Sequence, residues 1–273
     1  MAATVNRNAV SIFMQVFRLF HKNSDNLMKY VCYCNLHCTS TFEQDGQKGM
    51  KGRKLSSQLW LKRHMDDPYV KRARLKNYRC RSAFKLIEID DRYRILRPGG
   101  YVIDCGAAPG SWMQVAVERT RDVSTGDMHS TPIGYLVIGV DIIGFPPVDE
   151  AKAFANSDFT LPETQKTILQ YLQGRKVDAV LSDMAPNATG HKAMDHENII
   201  DLCKSALRFS RAVLRPDGTF LCKIWKGGLE KDFMQEIQQF FKSVKFVKPL
   251  ASRMDSAEGY LLSRGYKGLP DKT

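Results

Sequence analysis

From residue 78 onward the chain alternates two periodicities that no single layer of structure can satisfy, and this alternation limits the folds open to it. Short apolar runs rich in β-branched residues stand at Tyr101–Cys105, Tyr135–Asp141, Val177–Asp183 and Thr219–Ile224. Each reads as a buried strand. Between them lie helical patterns at Ser111–Arg119, Pro162–Gln173, His196–Leu214 and Leu229–Lys242, and a further helix over Ser82–Tyr93 precedes the first strand. The third pattern sets Ile199, Cys203, Ala206, Ser210 and Val213 on one stripe, and the fourth turns Phe233, Ile237, Phe240 and Phe241 inward. Strand–helix alternation implies an α/β fold with a doubly wound, mostly parallel sheet. The runs Val244–Val247 and Tyr260–Ser263 are separated only by Lys248–Gly259. That segment is too short for a helical crossover, so this pair is expected to be antiparallel.

Composition narrows the partner. A chain of 273 residues has room for one large domain, or for one domain with an appendage, and 43% hydrophobic with 26% charged residues excludes a mostly disordered chain. No stretch reaches the roughly 18 uninterrupted apolar residues of a membrane-spanning helix, so integral membrane association is not expected. The net charge of +12 favours a polyanion, nucleic acid first. Twelve Lys and Arg face two acids between Lys51 and Lys85, with Trp60, Tyr69, Tyr78 and Phe84 interleaved. A solvated face would mix its signs; this excess suits phosphate backbone.

The first 42 residues differ from the rest. They hold Arg7, Arg18, Lys22 and Lys29 against Asp25 alone, and a helical winding gathers Val10, Phe13, Met14, Phe17 and Phe20 on one side. Such an amphipathic, acid-poor, basic start is what a mitochondrial transit peptide looks like. The expected organisation is a leader over 1–42, a basic RNA-binding extension over 43–77 and an enzyme domain over 78–268. Seven cysteines, an odd number, argue for a reducing compartment. Cys32, Cys34 and Cys38 beside His37 match no paired zinc-ligand spacing, so no metal is expected.

Chemistry concentrates after the strands. The first strand runs into Asp104-Cys105-Gly106-Ala107-Ala108-Pro109-Gly110-Ser111-Trp112. Glycines at such a turn let a ligand approach the backbone and rest on a helix N-terminus. The G-x-G-x-x-G spacing of dinucleotide enzymes is absent; the order D-x-G-x-x-P-G is the form found in S-adenosylmethionine enzymes. Asp141 closes the second strand, where a carboxylate takes ribose hydroxyls, though it lies 37 residues past Asp104 against the usual spacing of about 20. The polar insertion 122–131 accounts for most of that difference. Asp158-Phe159 offers a carboxylate for an adenine amino group with a ring nearby. Ser182-Asp183-Met184-Ala185-Pro186-Asn187 follows the third strand, and Lys223 ends the fourth. An antiparallel last strand brings Glu258 to the same edge, and Lys85 reaches it from the basic segment.

The stretches YRCRSAFKL (78–86), DCGAAPGSW (104–112), SDMAPNATG (182–190), FLCKIW (220–225) and KPLASRMDSAEGY (248–260) resemble the FtsJ/RrmJ family of ribose 2′-O-methyltransferases, over roughly Tyr78 to Tyr266. The resemblance implies a seven-stranded Rossmann-like sheet, S-adenosyl-L-methionine as cofactor and RNA as substrate. It maps a catalytic tetrad onto Lys85, Asp183, Lys223 and Glu258, with Lys223 as proton acceptor. It maps cofactor contacts onto Pro109, Gly110, Ser111, Trp112, Asp141, Asp158, Phe159 and Asp183. The transit-like leader resembles the branch that methylates a uridine of mitochondrial large-subunit rRNA. The implied partner is that rRNA or the assembling large ribosomal subunit, and the implied location is the mitochondrial matrix. The long loop after the first helix and the N-terminal extension depart from the compact bacterial members.

A hydroxyl is a poor nucleophile at neutral pH, so its proton must leave as the bond to carbon forms. An ordinary lysine has a pKa of about 10.4. Desolvation, the donor's positive charge and Lys85 push Lys223 down, whereas Asp183 and Glu258 push it up. Lys223 is therefore either the base or a charged group that only orients the oxygen. Beside methyl transfer stand two other readings: a non-catalytic ribosome assembly factor on the same fold, and a family member acting on tRNA or an mRNA cap.

Overall fold

The two periodicities resolve into a sheet with helices on both faces. The structure, a computed structural model, describes residues 62–121, 134–187 and 189–268. These all belong to one unit of the chain, His37–Thr273. The leader over 1–42, the Cys32–Cys38 cluster, Trp60 and the insertion 122–131 lie outside the described residues.

In chain order the elements are α1 (Pro68–Leu75), α2 (Ala83–Tyr93), β1 (Tyr101–Cys105), α3 (Ser111–Thr120), β2 (Leu136–Val140), β3 (Lys152–Phe154), α4 (Pro162–Leu172), β4 (Val177–Ser182), α5 (Lys192–Val213), β5 (Leu214–Trp225), α6 (Glu230–Gln238), β6 (Phe241–Val247) and β7 (Glu258–Tyr266). The sheet has seven strands in the order β3-β2-β1-β4-β5-β7-β6. β7 runs antiparallel to both its neighbours, and the other pairings are parallel. The chain winds outward from β1 in one direction and from β4 in the other. The crevice between their carboxyl ends is thus the switch point where such sheets bind ligands.

The central strands are buried on both faces, as strands must be when helices cover each side. One layer packs Ile168, Ile199, Phe209 and Phe233 from α4, α5 and α6 against Ile103, Val180 and Phe220 of the sheet. The other packs Leu86, Ile89, Met113 and Val115 from α2 and α3 against Val102, Leu181 and Leu221. Each fully buried side chain of this size contributes roughly 1.5–3 kcal/mol. Gly139 of β2 is part of this fit, since an added Cβ would lie 2.9 Å from the Ala107 Cβ.

Three local expectations change. α1 and the three-residue β3 are too short to show a period in the sequence. α5 begins at Lys192, one turn earlier than the pattern from His196. The helical pattern over Leu229–Lys242 breaks at Gln238, and Phe241 opens β6 instead. Phe241 does turn inward, but as a strand residue, with its ring centroid 5.4 Å from Tyr266 and 6.3 Å from Phe220. Sheet pairing with Tyr266 overrides the local helical period there.

Candidate active site

β1 delivers the chain into the crevice, and two glycines shape the turn at its end. Gly106 has φ +84, and a Cβ on it would lie 2.8 Å from the Met184 amide nitrogen after β4. Gly110 has φ +102, and its Cβ would meet Val148 Cγ2 at 2.8 Å. Both positions combine a left-handed backbone with close approach, which only glycine tolerates. Asp141 holds this turn from the side. Its Oδ2 accepts the Ala108 amide at 2.8 Å and its Oδ1 accepts the Ile143 amide at 2.8 Å. Arg79 braces the same turn by donating to the Pro109 carbonyl at 2.8 Å and the Pro146 carbonyl at 2.6 Å.

α3 begins immediately after Gly110, so its first amides lack intrahelical acceptors. The Ser111 and Trp112 side chains point the other way, into the protein. Ser111 Oγ lies 2.8 Å from Ser82 Oγ, and Trp112 Nε1 donates to the Ser82 carbonyl at 2.8 Å. The main chain of these two residues, rather than their side chains, borders the turn. The Phe159 ring sits in the core, edge-on to Phe209 at 5.2 Å. Asp158 caps a turn, its Oδ1 accepting the Thr160 amide at 2.8 Å.

A carboxylate that the sequence reading leaves without a role stands at the centre. Asp104 is fully buried, and neither of its oxygens has a hydrogen-bond partner among the described residues. Burial pushes its carboxyl well above the ordinary range, and the nearby Asp183 and Asp141 push it further. Asp141 is also raised by burial, against the pull of the Ile143 and Ala108 amides. Asp104 and Asp141 bring two carboxyl groups to one small region with no ion pair to either among the described residues, a standing electrostatic cost. A positively charged ligand removes it.

Beside this region the structure brings together Lys85, Asp183, Lys223 and Glu258. Lys85 Nζ lies 2.6 Å from Glu258 Oε1, and Lys223 Nζ lies 2.9 Å from Asp183 Oδ1. Lys223 also donates to the Asp183 carbonyl at 2.7 Å. Both lysines are nearly buried. Burial raises the Glu258 carboxyl, but the charges of Lys85 and Lys223 and hydrogen bonds from Lys85 and Ser252 overcome it and hold the group at about 2. Two further residues complete the cluster. Tyr260 lies directly across from Lys223 and donates its hydroxyl to Asp183 Oδ1 at 2.7 Å, and Ser252 Oγ donates to Glu258 Oε1 at 2.7 Å. Burial, then Asp183 and Glu258, keep the Tyr260 phenol protonated. The period of two that places Glu258 on β7 also points to Tyr260.

The basic segment divides by role. Arg81 is buried, bonded to Asp67 and to the Ala251 carbonyl. Glu88 accepts the Tyr69 hydroxyl at 2.9 Å and the Ala251 amide at 3.0 Å. These contacts tie α1 to the loop that carries Ser252. Tyr69 and Tyr78 are half-buried and pack on Phe84. Lys71, Arg72, Arg74 and Lys76 remain exposed on α1.

A glycine turn on a switch point, joined to two lysine–carboxylate pairs, is matched in known proteins. Residues 78–266 match the FtsJ-like methyltransferase family. The chain belongs to that family. It is therefore a methyltransferase. Among its relatives is the mitochondrial rRNA methyltransferase 2 of Drosophila melanogaster, 50% identical over 82% of this chain and 88% of that protein. Another is the ribosomal RNA large subunit methyltransferase E of Parvibaculum lavamentivorans, 46% identical over 81% of this chain and 86% of that protein. The crystal structure of a protein described as a ribosomal RNA methyltransferase from Plasmodium falciparum superposes with a TM-score of 0.60 at 28% identity, covering 70% of this chain and all of that one.

Proposed function

We propose that this protein transfers a methyl group from S-adenosyl-L-methionine to a ribose 2′-hydroxyl of RNA, and that the RNA is a uridine-bearing segment of mitochondrial large-subunit rRNA. The observation that carries the chemistry is the pair of buried lysines held by carboxylates beside the unpaired Asp104. The names of the fly and bacterial relatives support rRNA as the substrate, and the name of the fly relative, together with the transit-like leader of this chain, supports the mitochondrion.

The residues fit the donor. Its sulfonium and ammonium cations answer the carboxyl groups at Asp104 and Asp141, and its carboxylate suits the free amides at the start of α3. When bound, the donor supplies an electrophilic methyl carbon. The chain's own residues do the rest. Glu258 and Lys85 form one arm of the cleft and position the ribose. Asp183 and Tyr260 fix Lys223, whose Nζ is aimed by two hydrogen-bond acceptors and receives the 2′-hydroxyl proton as the oxygen attacks. The step requires the neutral amine. The exposed cations of α1 hold phosphates without reading bases.

The test is methyl transfer from labelled S-adenosylmethionine to mitochondrial ribosomal particles and to naked RNA, wild type beside Lys223→Ala. Label on a ribose 2′-oxygen with wild type, and a loss of roughly a hundredfold or more in the variant with donor affinity nearly unchanged, is the expected result. Tight donor binding with no label on any RNA would replace the enzyme reading with that of an assembly factor.

A further inference from the structure

At the opposite end of the sheet from the lysine–carboxylate cluster lies a concavity of about 520 Å³. It forms where α2 stops. Beyond Tyr93 no helix among the described residues covers this corner, and the row Thr219–Arg264–Ser243 across β5, β7 and β6 is polar where a covered row would be apolar. The walls carry six cations against two acids. Both acids are already matched: Asp178 pairs with Arg215 at 2.6 Å and Asp217 with Lys242 at 2.6 Å. Arg94, Arg97, Lys245 and Arg264 make no ion pair among the described residues. A second concavity shares Arg94, Arg97 and Arg264 with the first, and its two acids, Asp90 and Asp91, pair with Arg119 at 3.4 and 2.7 Å. The field is felt locally, since the exposed Asp217 carboxyl is lowered by its bond to Lys242 and also by Arg215 and Arg97.

Free cations on a convex surface are ordinary; here four around one hollow form no ion pair among the described residues. A recess with low-dielectric walls focuses such a field, and guanidinium forks match phosphate oxygens in pairs. We propose that this hollow binds phosphate groups of a second stretch of the RNA substrate, remote from the nucleotide being methylated. The inference rests on the reading of the substrate as RNA. Glu258 and Arg264 sit six residues apart on one strand, which places the hollow roughly 20 Å from the reaction centre. The nucleotide in the cleft cannot reach it, but a folded or extended RNA can. The site therefore acts on affinity and register, not on the chemical step.

The experiment compares the full chain with the triple variant Arg97→Gln, Lys245→Gln, Arg264→Gln, which keeps polar side chains and removes charge from exposed positions. Binding of a long rRNA fragment of about 40 nucleotides and of a tetranucleotide is followed by anisotropy across a salt series. Each phosphate contact on a single strand contributes about 0.7 to the slope of log affinity against log salt. The variant should lose about two units of that slope for the long RNA and bind it roughly tenfold or more weakly, with tetranucleotide binding and thermal midpoint unchanged. KM for the long RNA should rise with kcat unaltered. Superimposable salt curves for variant and wild type would overturn the proposal. So would saturation of the hollow by ATP or inorganic phosphate at micromolar concentration, abolished in the variant, which would assign it to a small phosphorylated ligand. Failure of wild type to bind either RNA would sink the RNA reading itself and this inference with it.

Discussion

Two lysine–carboxylate pairs with the same separation stand at the two ends of the sheet. Lys85–Glu258 and Lys242–Asp217 both close to 2.6 Å, yet the first pair exposes 11% and 16% of its side chains and the second 64% and 63%. Geometry is therefore not what distinguishes them; water is. In the cleft, removing one partner strands a charge that water cannot reach, and such losses cost about 3–5 kcal/mol. At the far corner solvent screens both charges and takes over when either is removed. The protein holds buried pairs fixed in the cleft and leaves cations exposed at the far corner.

The sharpest way to break this contrast is at Asp104, a buried carboxyl with no hydrogen-bond partner among the described residues. Asp104→Asn should weaken methyl-donor binding by about a hundredfold, the size of effect seen when one member of a buried charge pair is removed, as measured by calorimetry. It should not destabilise the free protein at neutral pH. The native-state value of Asp104 is raised, so wild type loses stability as pH rises above the ordinary carboxylate value, and the variant lacks that loss. A variant that melts lower than wild type at neutral pH would show that Asp104 is structural.

Glu258 tests the opposite sign. Its carboxyl is held at about 2 against an ordinary 4.5. It therefore stabilises the fold at neutral pH by on the order of 3 kcal/mol, and that contribution disappears as pH falls from about 4.5 to about 2. Glu258→Gln should lose most of it at pH 7 and show a flatter acid limb in denaturant titrations. An unchanged acid limb would mean that Lys85 and Lys223 are not what holds the charge. The smallest effect is expected at the exposed pair: Lys242→Ala should leave the thermal midpoint within error at physiological salt. A clear drop there would erase the distinction between the two ends.

Legibility in the sequence follows the range of the interaction. Asp183, Lys223 and Glu258 are legible because each stands at the end of a strand, and strand ends of a doubly wound sheet share one edge. Tyr260 shares the period of two with Glu258, but its bond to Asp183 depends on the β5–β7 register, and the role of Ser252 depends on where the 249–257 loop returns, both set by contacts distant in sequence. Ser111, Trp112 and Phe159 are marked for a ligand by their neighbours in the motif, but their side chains serve the core. In a tight turn only the backbone faces the ligand, and large or hydrogen-bonding side chains anchor it from behind.

The alternation of periods, the glycine turn and the charge excess are properties of local chain chemistry, and by themselves they determined the α/β class and pointed to one sheet edge and a polyanionic partner. Which carboxylate would be left without a partner, which lysine would be buried, and which cations would stay free were decided only by tertiary structure. Burial sets the cost of a charge, and no residue's burial is a property of its neighbours in sequence alone.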